Sequence, residues 1–271
     1  MNRRTVCWNI TSRCNENCQF CYRIICNKEN TYEQNKKILK ALIDLKVKKI
    51  TWTGGESLLY SHLFELMKEA HENNIVNNII TNGRNLNETV INEIKDYTDH
   101  ITFSLDAISD DVNNELGRGI EHASHIINLI DYIQKNNVDI KIKINSVVTK
   151  FNIDYINEVA EIIKKYKIER WKLFKFISLR GKSVENQNMF EISDQRYDEL
   201  IIKLNECNLR CPVVSCKEKE IQDDYLLINA IGEFLITTNG KDKLICDSKN
   251  ICLDKIEEIF KNESRYKLGT V

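Results

Sequence analysis

Three thiols lie within eight residues, in Cys14-Asn15-Glu16-Asn17-Cys18-Gln19-Phe20-Cys21, at a C-x3-C-x2-C spacing. Thiolates gathered in one loop bind soft metals better than they pack as core. An iron–sulfur cubane has four irons, and most proteins give it four cysteines; three leave one iron open to a ligand that is not protein. Two blander readings stand beside this one. One is a zinc site with Cys7 or Cys26 as fourth ligand. The other is inert thiols acting as small hydrophobes, which the intervening Asn, Glu and Gln fit poorly.

A second motif narrows the choice. Lys48 to Thr53 reads as a strand and runs into Gly54-Gly55-Glu56, 33 residues beyond Cys21 by the numbering. A three-cysteine loop after the first strand and a Gly-Gly-Glu turn after the second resemble the radical S-adenosylmethionine superfamily. The resemblance implies a [4Fe-4S] cluster on Cys14, Cys18 and Cys21. It also implies S-adenosylmethionine on the open iron, with its amino group held by Gly54, Gly55 and Glu56. Glycine suits a place where backbone closely approaches a ligand.

The elements that must position these motifs follow from length and pattern. A chain of 271 residues can bury a full core and suits one large α/β domain. Its net charge of −1 gives no bulk attraction to nucleic acid or membrane. No apolar run reaches the length of a membrane span. Ten cysteines without a visible signal peptide imply reduced thiols in a cytoplasm. Strand-like runs cover Arg4–Thr11, Lys49–Thr53, Val76–Thr81, Ile101–Asp106, Asp139–Thr149 and Glu169–Ile177. Helical patterns alternate with them: from Thr31, whose Thr31-Tyr32-Glu33-Gln34 forms a capping box, then Tyr60–Asn73, Asn87–Tyr97, His122–Lys135, Asp154–Tyr166 and Ser193–Asn205. Six strand–helix units imply parallel strands and a partial (β/α)6 barrel spanning residues 1–206. Residues 207–271 form a C-terminal extension with a small hairpin, turning at Ala230-Ile231-Gly232, and a helix.

Fully buried parallel strands read as continuous apolar runs, but these alternate. Val6, Trp8 and Ile10 oppose Cys7, Asn9 and Thr11; Ile140, Ile142 and Ile144 oppose Lys141, Lys143 and Asn145. The apolar faces must meet the helices, so the polar faces line the barrel interior. That interior then holds Lys49, Lys143, Arg170 and Lys172, with Lys141 at its open rim, against few acids, chiefly Glu56 and Asp106. Buried charge is costly unless paired, and S-adenosylmethionine is itself a cation at sulfur. An anionic ligand, a polyphosphate, is therefore expected in the lumen.

Lys143-Ile144-Asn145-Ser146-Val147-Val148 with Phe151-Asn152, then Arg170-Trp171-Lys172-Leu173-Phe174, resemble the viperin family within that superfamily. Gly117-Arg118-Gly119 after Ser104-Leu105-Asp106 is similar too, as is Asp224-Tyr225-Leu226-Leu227-Ile228. The resemblance implies a nucleoside triphosphate substrate, usually CTP, with UTP and GTP open. The 5′-deoxyadenosyl radical takes the 4′ hydrogen of the ribose, and loss of the 3′ hydroxyl gives a 3′-deoxy-3′,4′-didehydro nucleotide that terminates viral RNA, an antiviral defence. It places Lys49, Lys143, Asn145, Arg170 and Lys172 on the triphosphate and sugar and Tyr225 over the radical path, so that Tyr225 and Lys172 are the catalytic candidates. It places Thr53, Asn82, Ser104 and Arg118 on S-adenosylmethionine, with the extension covering the substrate and a flavodoxin or ferredoxin as electron donor.

This chain departs from the family pattern at Ser57, where proline is usual, and at Tyr22, where phenylalanine is. Cys207, Cys211, Cys216, Cys246 and Cys252 crowd the last third and raise an alternative, a peptide-modifying radical enzyme with an auxiliary cluster. His122 and His125 read as helix-surface residues.

Overall fold

Period-two alternation decides which side of each strand meets a helix, and the protein follows it closely. The structure, a computed structural model, describes residues 4–218, 226–238 and 241–261. Six parallel strands lie side by side in chain order: β1 (Thr5–Thr11), β2 (Lys49–Gly54), β3 (Val76–Thr81), β4 (His100–Ser104), β5 (Lys141–Val148) and β6 (Arg170–Lys175). Between them run α1 (Tyr32–Asp44), α2 (Leu63–Glu72), α3 (Glu88–Ile94), α4 (Asp110–Leu116), α5 (His122–Lys135) and α6 (Ile156–Ile163). After β6 come two single-turn helices, α7 (Lys182–Glu185) and α8 (Gln187–Phe190), then α9 (Asp194–Asn205) and β7 (Val213–Cys216), which pairs parallel with β6.

The chain then passes to the opposite edge. There β8 (Leu226–Ile228) pairs parallel with β1, followed by the antiparallel strands β9 (Phe234–Thr238) and β10 (Lys241–Cys246) and the helix α10 (Leu253–Lys261). The ten strands make one sheet, with β10 and β7 as its edges, so the barrel is partial and open. The expected hairpin is β8–β9, and Gly232 supplies its positive φ of 77°.

Trp8, Ile50, Trp52, Ile101, Phe103, Ile142, Ile144, Trp171 and Leu173 are buried on the helix side in one continuous core. Trp8 and Trp52, direct partners in the β1–β2 ladder, stack with ring centroids 5.1 Å apart. The expected caps are present: Thr31 and Gln34 close a capping box, and the Ser193 side chain accepts from the Arg196 amide.

Element ends differ from expectation where side chains are diverted. The span expected to be helical from Tyr60 begins only at Leu63, after a 3-10 turn at Ser57–Leu59 capped by Glu56. Strand β4 stops at Ser104, two residues before Asp106, whose carboxylate accepts from Arg118 Nε and from the Val147 amide. Helix α4, β7, α7 and α8 are too short for their periodicity to show in sequence. No helix among the described residues is long and apolar enough to cross a membrane.

Candidate active site

The cysteine loop leaves β1 at Thr11 and returns to α1 at Tyr32. One carboxylate closes its base: Glu29 Oε1 accepts from Thr11 Oγ1 at 2.7 Å and from the Ser12 amide at 2.8 Å. The Gly-Gly-Glu turn holds one flank. The Gly55 amide donates to the Thr11 carbonyl and the Glu56 amide to the Arg13 carbonyl, each at 2.8 Å. A Cβ on Gly55 would lie 2.1 Å from the Arg13 carbonyl oxygen, and one on Gly54 2.2 Å from that of Thr11. The segment leading from β1 to Cys14 therefore requires glycine at both positions by itself. Glu56 is buried and fixed: Thr81 Oγ1 and the Asn82 amide each donate to it at 2.8 Å, and burial pushes its carboxyl up despite those donors.

The other flank is Gly117-Arg118-Gly119. Gly117 sits at φ 82° as the C-cap of α4, and a Cβ there would lie 2.4 Å from the Asn17 carbonyl oxygen. Arg118 Nη1 donates to Glu16 Oε2 at 2.8 Å and its Nε to Asp106 Oδ2 at 2.7 Å. Arg84 Nε reaches the other Glu16 oxygen at 3.1 Å, and His122 Nδ1 lies 3.2 Å from it. Burial alone would raise the Glu16 carboxyl, but His122 and Arg118 outweigh it and hold the group down at about 2. A buried carboxylate so partnered is stable as the anion, and it anchors the middle of the cysteine loop.

This network corrects two expectations. His122 is buried, not on a helix surface, and its Nε2 lies 2.8 Å from the Ser104 carbonyl oxygen; His125 Nε2 meets the Gly83 carbonyl oxygen at 2.9 Å. Asp106 is spent on Arg118 and is not a lumen counter-ion. Glu16, the charged residue between two cysteines, was the one signal in the sequence that pointed to this network.

The thiols fit a cluster. Cys14, Cys18 and Cys21 leave one loop, and each cysteine of a cubane takes its own iron. The Glu16 amide donates to Cys14 Sγ at 3.5 Å, and Asn82 Nδ2 lies 3.9 Å from that sulfur. Donors aimed at sulfur suit a thiolate ligand. Cys18 is sheltered by Phe20, Ala107, Val112, Leu116, Phe176 and Phe190. Burial pushes the Cys14 and Cys18 thiols up, so loading a cluster there releases protons. Cys7 faces the lumen of β1, where burial pushes its thiol up to about 12 against the pull of Lys172 and Lys49.

The expected cations do share one face. Lys143 pairs across the ladder with Arg170, and Asn145 with Lys172. Lys143 is 1% exposed, and its ammonium has no hydrogen-bond partner among the described residues. The buried Asn145 Oδ1 has none either. Lys49 sits close to Lys143 and Arg170; burial first, then those two charges, lower it to about 7. Lys172 is buried with its Nζ 4.7 Å from the centre of the Phe174 ring. Lys141 is at the exposed rim, as expected.

The lumen acid that sequence reasoning missed is Glu169, whose Oε2 lies 3.5 Å from Lys143 Nζ and 3.1 Å from His100 Nε2. It precedes β6, and no motif marks it. Thr53 is the last residue but one of β2 and Ser104 the last of β4, both half-buried; Tyr225 lies outside the described residues. The late cysteines disperse: Cys211 is in the helix–sheet core, while Cys246 lies beside Cys252.

The chain matches the radical SAM superfamily over residues 8–178. A protein of Flammeovirga pacifica named S-adenosylmethionine-dependent nucleotide dehydratase is 27% identical over 248 residues, spanning 87% of this chain and 83% of that one. One of Oncorhynchus mykiss, named S-adenosylmethionine-dependent nucleotide dehydratase RSAD2, is 27% identical over 254 residues, spanning 88% and 70%. In three dimensions SuiB of Streptococcus suis is similar with a TM-score of 0.73 at 16% identity, over 97% of this chain; this chain spans 66% of SuiB. The structure of anSMEcpe with bound AdoMet and the Kp18Cys peptide gives a TM-score of 0.70 at 14% identity, over 97% and 84%. At such identities the likeness is one of fold.

Proposed function

The chain belongs to the radical SAM superfamily, and from that premise we propose that it is a viperin-type nucleotide dehydratase, converting a nucleoside triphosphate to its 3′-deoxy-3′,4′-didehydro analogue. The curated relatives named as nucleotide dehydratases support this reading. The observation that carries it is the buried cationic lumen, with the Lys143 ammonium lacking any hydrogen-bond partner among the described residues. A sulfonium cofactor would add positive charge there; a polyphosphate would answer it.

Cys14, Cys18 and Cys21 would hold a [4Fe-4S] cluster and its S-adenosylmethionine, which on reduction supply a 5′-deoxyadenosyl radical. Gly54, Gly55 and Glu56 present a fixed carboxylate and backbone for the cofactor's amino group. Thr53, Asn82 and Ser104 offer polar groups at the same end of the barrel. Arg118 has two nitrogens bound to Asp106 and Glu16; its Nη2 would meet the cofactor's carboxylate.

The cations sit at the other end. Lys49 and Arg170 are the first residues of β2 and β6, while the cysteine loop and Gly-Gly-Glu follow the ends of β1 and β2. Strands of this length separate the two ends by about 17 Å at 3.3 Å per residue. An extended nucleotide with phosphates on Lys49, Lys143 and Arg170 and sugar beside Asn145 and Lys172 brings its ribose toward the cysteine loop. Lys172 and Tyr225 are the residues proposed to act at the reacting sugar, and the extension of residues 207–271 to exclude water over it. CTP is the first candidate, then UTP and GTP, and a flavodoxin or ferredoxin the electron donor. The test is anaerobic incubation of the reduced holoenzyme with S-adenosylmethionine and each of CTP, UTP, GTP and ATP. Nucleotide-dependent 5′-deoxyadenosine is expected from one of them, and its absence with all four overturns the proposal.

A further inference from the structure

Under the cationic lumen lies a group that neither the cluster nor the sugar chemistry requires. Glu169 immediately precedes β6 at the end of the barrel farthest from the cysteine loop, and its amide donates to the Ile142 carbonyl at 2.8 Å. Its carboxylate lies at the mouth of this end, 37% exposed: Oε2 lies 3.5 Å from Lys143 Nζ and 3.1 Å from His100 Nε2, while Oε1 lies 3.8 Å from Lys141 at the rim. His100 is buried, and its ring is surrounded by Lys143, Lys49, Lys141 and Arg170, so it stays uncharged at neutral pH. It supports the carboxylate without neutralising it.

Glu169 is thus the sole carboxylate among the described residues within 4.0 Å of Lys143, yet it forms no hydrogen bond with that ammonium. A contact at 3.5 Å without hydrogen-bond geometry is weaker than a phosphate oxygen at hydrogen-bonding distance. The pair is a stand-in that a better anion displaces.

We propose that Glu169 is the counter-ion which the terminal phosphoryl group of the substrate displaces from Lys143, and that with His100 it forms the floor limiting how deep a polyphosphate enters. This rests on the nucleotide reading and refines it: the floor is where a triphosphate is told from a diphosphate. A displaced carboxylate remains near the terminal phosphate and repels it, which weakens binding and caps the phosphate count at the length that just reaches Lys143.

The test compares wild-type holoenzyme with Glu169→Gln, using calorimetric titration with whichever of CTP, UTP, GTP and ATP the wild type binds, with its diphosphate, and with inorganic tripolyphosphate as a base-free probe. Glu169→Asp, which keeps the charge, serves as the second variant, and thermal melting checks that both fold. Removing one like charge at this range is expected to tighten triphosphate and tripolyphosphate binding about tenfold, with little change for the diphosphate. The Asp variant should show no such gain. Equal gains for di- and triphosphate, or no gain, overturn the role of Glu169 while leaving the nucleotide reading intact. Failure of the wild type to bind any of the four triphosphates overturns the nucleotide reading itself.

Discussion

Glu16 and Arg118 stand 102 positions apart in sequence, yet Arg118 Nη1 donates to Glu16 Oε2 at 2.8 Å in the interior. Through this pair the loop that carries the cysteines is fastened to the segment following α4. The same guanidinium holds Asp106 at the end of β4, so one side chain locks three separated segments.

Replacing Arg118 with Met should strand Asp106 as a buried carboxylate with only the Val147 amide for company. Breaking a buried pair in this way costs about 3–5 kcal/mol. Urea unfolding of the apoprotein should show that loss, and the reconstituted variant should hold less iron. Arg118→Lys should recover only part of it, because one ammonium does not span two carboxylates as a guanidinium fork does. Unchanged stability and iron content in the Met variant would refute the clamp.

The Glu16 carboxyl lies at about 2 in the folded protein against 4.5 for the free group. A depressed acid stabilises the fold fully above the unfolded value and loses that contribution as pH falls through the folded one. About 3 kcal/mol should therefore disappear between about pH 4.5 and about pH 2. Denaturant midpoints of the apoprotein across that range should fall steeply in the wild type and more gently in Glu16→Gln.

Gly55→Ala tests the packing of the Gly-Gly-Glu turn independently of any ligand. The new methyl would sit 2.1 Å from the Arg13 carbonyl oxygen, so backbone must move. A loss of about 1–3 kcal/mol is expected from such overpacking, together with reduced iron incorporation at Cys14. Iron per chain and circular dichroism melting measure both.

Lys143→Met separates stability from binding. The ammonium it removes is buried without a hydrogen-bond partner among the described residues, and Glu169, its ion-pair neighbour, is 37% exposed and keeps His100 and Lys141 beside it, so the apoprotein should be about as stable as wild type. Triphosphate affinity should fall roughly 10- to 100-fold, the worth of a hydrogen bond to a charged group. Calorimetry and thermal melting of the same sample give both numbers, and a variant that binds as tightly as wild type would contradict a phosphate role for Lys143.

Lys49 makes binding depend on pH. In the free protein burial, with Lys143 and Arg170 beside it, lowers its ammonium to about 7. A polyphosphate needs the charged form and raises that value, so complex formation takes up a proton. Affinity should be greatest below about pH 7 and decline above it, approaching tenfold per pH unit if one proton is coupled. Dissociation constants from about pH 6 to about pH 9 should show this slope in the wild type and a flatter one in Lys49→Met.

The residues that sequence alone fixed are those whose meaning is local or periodic. Cys14, Cys18 and Cys21 are close in the chain, so their loop is close in space. Alternation placed Lys143 and Arg170 on the lumen face because a strand permits only two faces, and ladder pairing of Lys143 with Arg170 agrees. Tertiary structure decided what those groups touch. Asp106 and Glu169 are both acids at strand ends, and nothing in their neighbours says that one goes to Arg118 and the other to Lys143 and His100. His122 had the pattern of a surface helix and lies against Glu16 instead. Charges choose partners by distance and desolvation, which depend on how the sheet curls and which helix end meets which loop; neither is written in the spacing of a single strand.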